Sequence, residues 1–460
     1  RYLEEHDGCA VTCDDFREAM AAANGADLAQ LERWYSQAGT PHVQARGEWD
    51  EQSSVYTLTL AQSQRSMADA PPSLPLPIPI RVGLLDPTGS EIPGSSRTLQ
   101  LTESEQVFEI SGVTERPVAS IGRGFSAPIR LEVERSADDL AFLMAHDTDP
   151  FNRWEAGQEL SKRVLLDLVD HAQRNGALEL DLKLVGAFRR VLLDPSLDGS
   201  MKSLTLGLPS EELLSQELRV VDPDAVHQAR RFVIRGLGEA LRDDWRKTYD
   251  DHVDGTDAID KTQVNRRRLK NRALRYLVAL EEPETIALAA RQFQNATGMT
   301  DYEAAFSSLI DLESPETDEA IDSFYDAWKG EPLVLDKWFR MQAMSAARGS
   351  FERVVALSEH PDFNLGNPNR ARSLLHAFAA GNPTGFHRAD GAAYRFVGDK
   401  VVELDGINPQ VASRIVGSFN QWKRYEPGRS ALMRAELERI ASQPGISKDV
   451  GEIVERALER

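Results

Sequence analysis

The chain has 460 residues, beyond the size at which one hydrophobic core keeps growing, so about two to four domains are expected. Lys and Arg total 53 against 73 Asp and Glu, and the net charge of −20 argues against nonspecific attraction to nucleic acid or anionic membranes. No apolar run approaches the roughly 20 residues that span a bilayer, and the first residues lack the basic and apolar regions of a secretory signal, so a cytoplasmic protein is expected.

Residues 1 to 38 read as helical. Thr12 with Asp15 makes a cap ahead of Phe16, Ala19 and Met20, and Asp27 caps a run through Leu28, Leu31, Trp34 and Tyr35 that Gly39 and Pro41 stop. The chain opens on Arg1 directly before helix-like sequence, from which we expect a further N-terminal part. Cys9 and Cys13 are the two cysteines, too few for a metal site, and read as free thiols.

Over residues 42–135 the period changes to two, as in Val55-Tyr56-Thr57-Leu58-Thr59-Leu60 and Ile78-Pro79-Ile80-Arg81-Val82. Turn signals at Asp86-Pro87-Thr88-Gly89, Pro93-Gly94 and Ser111-Gly112 divide it into about seven short strands, which predicts a small antiparallel β-sandwich. Pro75, Pro77 and Pro79 predict an edge strand, because proline cannot donate to a ladder.

From residue 136 to 460 the pattern is helical throughout. Helix starts recur as a capping residue followed by proline: Asp149-Pro150, Asp194-Pro195, Asp222-Pro223, Glu282-Pro283, Ser314-Pro315, Asn367-Pro368 and Asn408-Pro409. At the first of these, Asn152 and Glu155 offer a second capping register. Their irregular spacing excludes a strict repeat and predicts short antiparallel helices stacked into a solenoid with a concave face.

Catalytic motifs are mostly absent. The histidines at 6, 42, 146, 171, 227, 252, 360, 376 and 387 include no pair three or four residues apart, so the HExxH device of zinc peptidases is missing. His171 beside Asp170 and His6 beside Asp7 read as surface or structurally satisfied groups before catalytic ones. Gly122-Arg123-Gly124 lies between strands and reads as a bend, not a nucleotide cradle. Neither a Gly-x-Ser-x-Gly elbow nor a P-loop is present. The cluster Arg266-Arg267-Arg268-Leu269-Lys270-Asn271-Arg272 reads as a solvated face pairing with the acid-rich residues 250–260 and not as a nucleic-acid stripe. The tryptophans read as helix packing. Arg372 and Arg414 follow Asn-Pro helix starts, where the helix dipole disfavours a cation. Two readings stand for them: a salt bridge to an acidic neighbour, or contact with a ligand carboxylate.

Several separated blocks together resemble bacterial aminopeptidase N, a zinc exopeptidase of the gluzincin type. They are His6-Asp7-Gly8, Thr12-Cys13-Asp14-Asp15-Phe16, Trp34-Tyr35-Ser36-Gln37-Ala38-Gly39-Thr40-Pro41, Arg123-Gly124-Phe125-Ser126-Ala127-Pro128, the run from Asp149 to Gln158, Asp336-Lys337-Trp338-Phe339 and the two Asn-Pro segments. The resemblance covers nearly the whole chain and implies the C-terminal half of that enzyme. Residues 1–41 would then be the helical tail of a thermolysin-like catalytic domain, 42–135 the β-sandwich and 136–460 a superhelical lid over the active site. It further implies that zinc, its ligands and the catalytic residues lie upstream, so that no catalytic or metal-ligating residue is assigned here and the segment alone is inactive. Arg372, Gln410 and Arg414 match family positions facing the substrate channel. Peptides are the implied substrates and a monomer the implied state, with neither nucleic acid nor membrane as partner. The competing expectation is a stand-alone interaction module that binds a peptide or protein without catalysis.

Overall fold

The computed structural model describes residues 1–64, 73–253 and 255–459, which divide into two compact units, Arg1–Leu160 and Ser161–Arg460. In the first unit the period-two stretches become β1 (His42–Asp50), β2 (Val55–Ser63), β3 (Ile78–Leu85), β4 (Arg97–Leu101), β5 (Glu105–Ser111), β6 (Val118–Ile121) and β7 (Arg130–Val133). They form two sheets, β5-β2-β1-β7 and β4-β3-β6. Alternate residues face inward, so Val43, Leu58 and Leu60 from one sheet meet Ile78, Ile80 and Leu101 from the other in one core. All strand pairs are antiparallel except β1 with β7, which run parallel with His42 opposite Arg130.

The expected edge strand is corrected: β3 is the middle strand of its sheet. Pro79 is tolerated because β6 pairs only with Val82 to Leu85, leaving the Pro79 end of β3 with β4 as its single neighbour. Pro75 and Pro77 precede the strand, and their carbonyls accept from Gln30 Nε2 at 3.1 Å and Trp34 Nε1 at 3.0 Å, which ties the N-terminal helices to the sandwich. Thr12 and Asp15 make the anticipated reciprocal cap on the helix Cys13–Asn24, and both cysteines are free and exposed.

Gly122-Arg123-Gly124 is a bend with Gly122 at φ 82° and Gly124 at φ 63°. It turns Arg123 inward, where the guanidinium bonds Ser120 Oγ at 2.9 Å and pairs with Glu91 at 2.5 Å. A Cβ on Gly83 would lie 2.2 Å from Arg123 Cζ, so only glycine leaves room for it. The helix Pro150–Gln173 starts where the sequence predicts, with Asp149 Oδ1 accepting the Asn152 N–H at 3.0 Å. Asn152 is not a second cap: its amide donates to Ser120 Oγ at 2.8 Å and Ile121 O at 3.0 Å, securing the helix start to β6.

The second unit is a succession of helices without a named strand among its described residues. Six of the seven cap-proline pairs open helices; Asp194-Pro195 instead follows the helix Leu182–Leu193, where Asp194 bonds Ser196 in a turn and Asp198 caps the next helix. Glu331-Pro332, Asn382-Pro383 and Glu426-Pro427 add further starts of the same chemistry. The solvated basic face is also corrected. Arg267 and Lys270 are 6% and 3% exposed; Arg267 donates to the carbonyls of Thr256 and Ala258, and Lys270 pairs with Asp301 at 2.5 Å. Arg267 is thus satisfied by main-chain carbonyls and Lys270 neutralised by a carboxylate inside the helix stack, so neither adds to a stripe facing a polyanion.

Candidate functional site

The two late Asn-Pro starts come together through one irregular turn. Asn367 Oδ1 accepts the N–H groups of Asn369 at 3.0 Å and Arg370 at 3.4 Å, opening the helix Pro368–Ala371. The chain then widens into a π turn over Arg372–His376 before the helix Ala377–Gly381. Such a turn re-aims side chains relative to a regular helix, and it is frequent at functional sites. The π turn packs against both the helix Pro332–Ala343 and the helix Pro409–Val416, the second of which Asn408 caps through the Val411 N–H at 3.2 Å.

This arrangement separates the arginines by role. Arg370 takes the salt bridge: it is 6% exposed, bonds Asp336 Oδ1 at 2.6 Å and lies over the Phe339 ring at 4.9 Å. Arg372 is half-buried and donates to the neutral side chain of Asn369 at 2.5 Å. Arg414 is exposed and, among the described residues, meets no acid. Gln410 is exposed one helical turn earlier on the same face of the Pro409–Val416 helix.

His376 reports how closely these groups gather. Burial first, and then the guanidiniums of Arg372, Arg340 and Arg414, hold its imidazole below the usual histidine range. Three arginines from three elements therefore act on one imidazole, in a chain whose net charge is −20. Arg340 was missed by sequence reasoning, although it directly follows the Asp336-Lys337-Trp338-Phe339 block; it is exposed and has no acid partner among the described residues. A grouping of this kind suits a carboxylate, which accepts two parallel N–H bonds from a guanidinium.

The same helix faces lead into a cavity of about 570 Å³. Met344 lies one turn beyond Arg340 and Ala380 one turn beyond His376, and both line that cavity, so the basic cluster stands about 5.4 Å along these helices from it. The other histidines weighed from sequence are structural: His171 Nδ1 bonds Asp167 O at 2.8 Å while Asp170 pairs with Arg174, and His6 lies against the Tyr2 ring at 5.2 Å. Among the described residues no group of three or more His, Cys, Asp or Glu side chains is placed to hold a metal ion. Nor is any described helix long and apolar enough to cross a membrane.

Comparison with known proteins agrees with this architecture. Residues 137–459 match the domain of unknown function DUF3458_C, described as ARM repeats, and residues 39–134 match the domain of unknown function DUF3458, described as an Ig-like fold. The chain is 36% identical over 463 residues to aminopeptidase N of Escherichia coli, covering 99% of this chain and 53% of that protein. It is 37% identical over 458 residues to aminopeptidase N of Caulobacter vibrioides, again covering 99% and 53%. Among solved structures it is similar to aminopeptidase A of Legionella pneumophila in complex with aspartic acid, with a TM-score of 0.84 and 30% identity over 100% of this chain and 53% of that one. The chain thus spans about half the length of the relatives it matches.

Proposed function

The chain belongs to the family described as a domain of unknown function with ARM repeats, DUF3458_C, and it matches the C-terminal portion of aminopeptidase N; from these we propose that it is the noncatalytic portion of a zinc-dependent aminopeptidase. On this reading the helical domain encloses an active site supplied by an N-terminal catalytic half and forms the channel that admits peptides. Residues 1–41 are the tail of the catalytic domain, 42–135 the sandwich spacer and 136–460 the lid. Arg372, Gln410 and Arg414, joined by Arg340, face the channel and steer peptide carboxylates.

The observation that carries the reading is that the π turn bearing Arg372 packs against the helices that bear Arg340 and Arg414, none of the three arginines held by an acid among the described residues. Guanidiniums left without acidic partners in so acidic a chain are available to a substrate carboxylate. Among the described residues the donors do not fit zinc, and no step of hydrolysis is assigned to them. The two free thiols and the acidic charge support a cytoplasmic enzyme, and a monomeric state is part of the same proposal.

The test compares the full-length enzyme with its Arg372→Ala, Arg414→Ala double variant. We expect KM for peptides to rise about tenfold, as for loss of a charge-assisted hydrogen bond, while an aminoacyl anilide without a carboxylate is cleaved as before. Unchanged kinetics on peptides of every length would remove these residues from the channel.

A further inference from the structure

The cavity of about 570 Å³ has a charge distribution that a substrate passage alone does not require. Its wall is formed by the helices Pro223–Ala240, Lys261–Val278, Met299–Leu309 and Pro332–Ala343 with the turns that follow them. Arg275 is exposed into this space and, among the described residues, no ion pair or hydrogen bond holds its guanidinium. Arg230 lies close by, with its Nε on Pro209 O at 2.8 Å. Burial first, and the Arg275 charge second, push the Arg230 guanidinium below its ordinary value, so the two cations crowd each other.

Asp311 lines the same cavity and accepts the Ala346 N–H at 3.0 Å. Asp311 is open to the cavity yet recessed among protein atoms, and that recess raises its carboxyl above the usual range in spite of Arg275, its strongest opposing influence. No cation lies within ion-pair distance of it among the described residues. Two further charge pairs line the cavity, His227 with Glu211 at 2.9 Å and Arg231 with Glu281, and the exposed Glu212 adds one more carboxylate to the lining. The same lining carries the apolar side chains of Ile234, Met341 and Met344.

A simple anion drawn to Arg275 and Arg230 would meet Asp311, and a simple cation drawn to Asp311 would meet the arginines. A molecule carrying both charges with an apolar side chain meets neither repulsion. We propose that this cavity is a binding site for a free α-amino acid with an apolar side chain, its carboxylate on Arg275, its ammonium on Asp311 and its side chain against Met341 and Met344. The volume falls within the roughly 300–1,000 Å³ common for small-molecule sites, and flexible methionines accommodate several apolar side chains. On the peptidase reading such a ligand is a reaction product, but the binding does not depend on that reading.

The test is calorimetric titration of the 460-residue chain with L-leucine, alongside isoamylamine, which lacks the carboxylate, and 4-methylpentanoate, which lacks the ammonium. Saturable binding of leucine is expected, with each analogue weaker by about tenfold or more. Arg275→Gln and Asp311→Asn should each weaken leucine by a similar factor with an unchanged circular dichroism spectrum. If a variant fails to fold, the analogues decide alone. Absence of saturable leucine binding at millimolar concentration, or an analogue binding as well as leucine, overturns the proposal. Retained leucine binding in the 460-residue chain carrying Arg372→Ala and Arg414→Ala keeps this site distinct from the channel residues.

Discussion

His387 is 5% exposed, stacked on Tyr425 with ring centroids 4.1 Å apart and hydrogen-bonded through Nδ1 to the Tyr394 hydroxyl at 2.8 Å. Burial above all, and the Arg429 guanidinium second, push its pKa down to about 3 from 6.5. The folded state therefore keeps this imidazole neutral at pH values where the unfolded chain binds a proton. Its contribution to stability is complete above the unfolded pKa near 6.5 and is lost as pH falls toward about 3, at roughly 1.4 kcal/mol per unit. Urea unfolding of the wild type should accordingly lose stability on acidification more steeply than His387→Gln, by about that slope; parallel pH dependences would show that His387 titrates normally. In the sequence His387 is indistinguishable from His171, because the groups that bury it come from residues up to about forty positions away. Arg372, Gln410 and Arg414 were legible as candidates through their helix starts and their resemblance to family positions. Arg340 was not, since what selects it is packing of the Pro332–Ala343 helix on the π turn, and helical periodicity gives no sign of a π turn.

At the scale of elements, the sequence shows where helices begin but not how closely they cross. Gly238, in the helix Pro223–Ala240, faces Tyr276 of the helix Lys261–Val278, and a Cβ there would stand 2.5 Å from the Tyr276 carbonyl oxygen. That close approach seats Tyr276 flat on Trp245, 4.4 Å between ring centroids, and lets its hydroxyl donate to Leu206 O at 2.8 Å. Gly238→Ala should therefore lower stability by about 1–3 kcal/mol through overpacking, exceeding the roughly 1 kcal/mol gained in helix propensity. Gly186, exposed in the helix Leu182–Leu193 with open space at its Cβ, is the matched control, and alanine there should raise the melting temperature. Equal effects at the two sites would mean that the crossing yields without cost. The basic cluster at residues 266–272 eluded the sequence for a related reason: Arg267 is satisfied by main-chain carbonyls, which every residue carries and no side-chain pattern reveals. The prolines led to an edge strand, yet strand order, which is a long-range property, places β3 in the middle and leaves the ladder open only beside the Pro79 end.

At the scale of the whole helical unit, the late helices return to an earlier part of the same stack, residues 215–224. The Val221 N–H donates to Arg424 O at 2.6 Å and the Glu426 N–H to Val221 O at 3.1 Å. Arg424 Nη2 reaches Ser215 O at 2.7 Å and Leu218 O at 2.8 Å, the otherwise unpaired end of the helix Glu211–Glu217. Arg429, 5% exposed, donates to His387 O and pairs with Asp224 at 2.6 Å across 205 residues of chain. A solenoid that meets itself in this way holds its inner surface at fixed curvature, as a basic cluster and cavity built from several successive helices require. Local periodicity predicts stacking but not closure, because contacts over such separations leave no repeat in the sequence. Asp224 is 64% exposed on its side chain and rehydrates when unpaired, so Arg429→Met should cost about 1–3 kcal/mol, chiefly from the stranded His387 carbonyl. Arg434→Met, which removes an exposed pair with Glu438 on the same helix, should cost under about 0.5 kcal/mol. Hydrogen exchange separates closure from local anchoring. If Arg429 joins the two regions, its variant should lose protection at the start of Pro223–Ala240 and in Pro427–Ala441 together, whereas loss confined to Pro427–Ala441 would mean that it merely anchors its own helix.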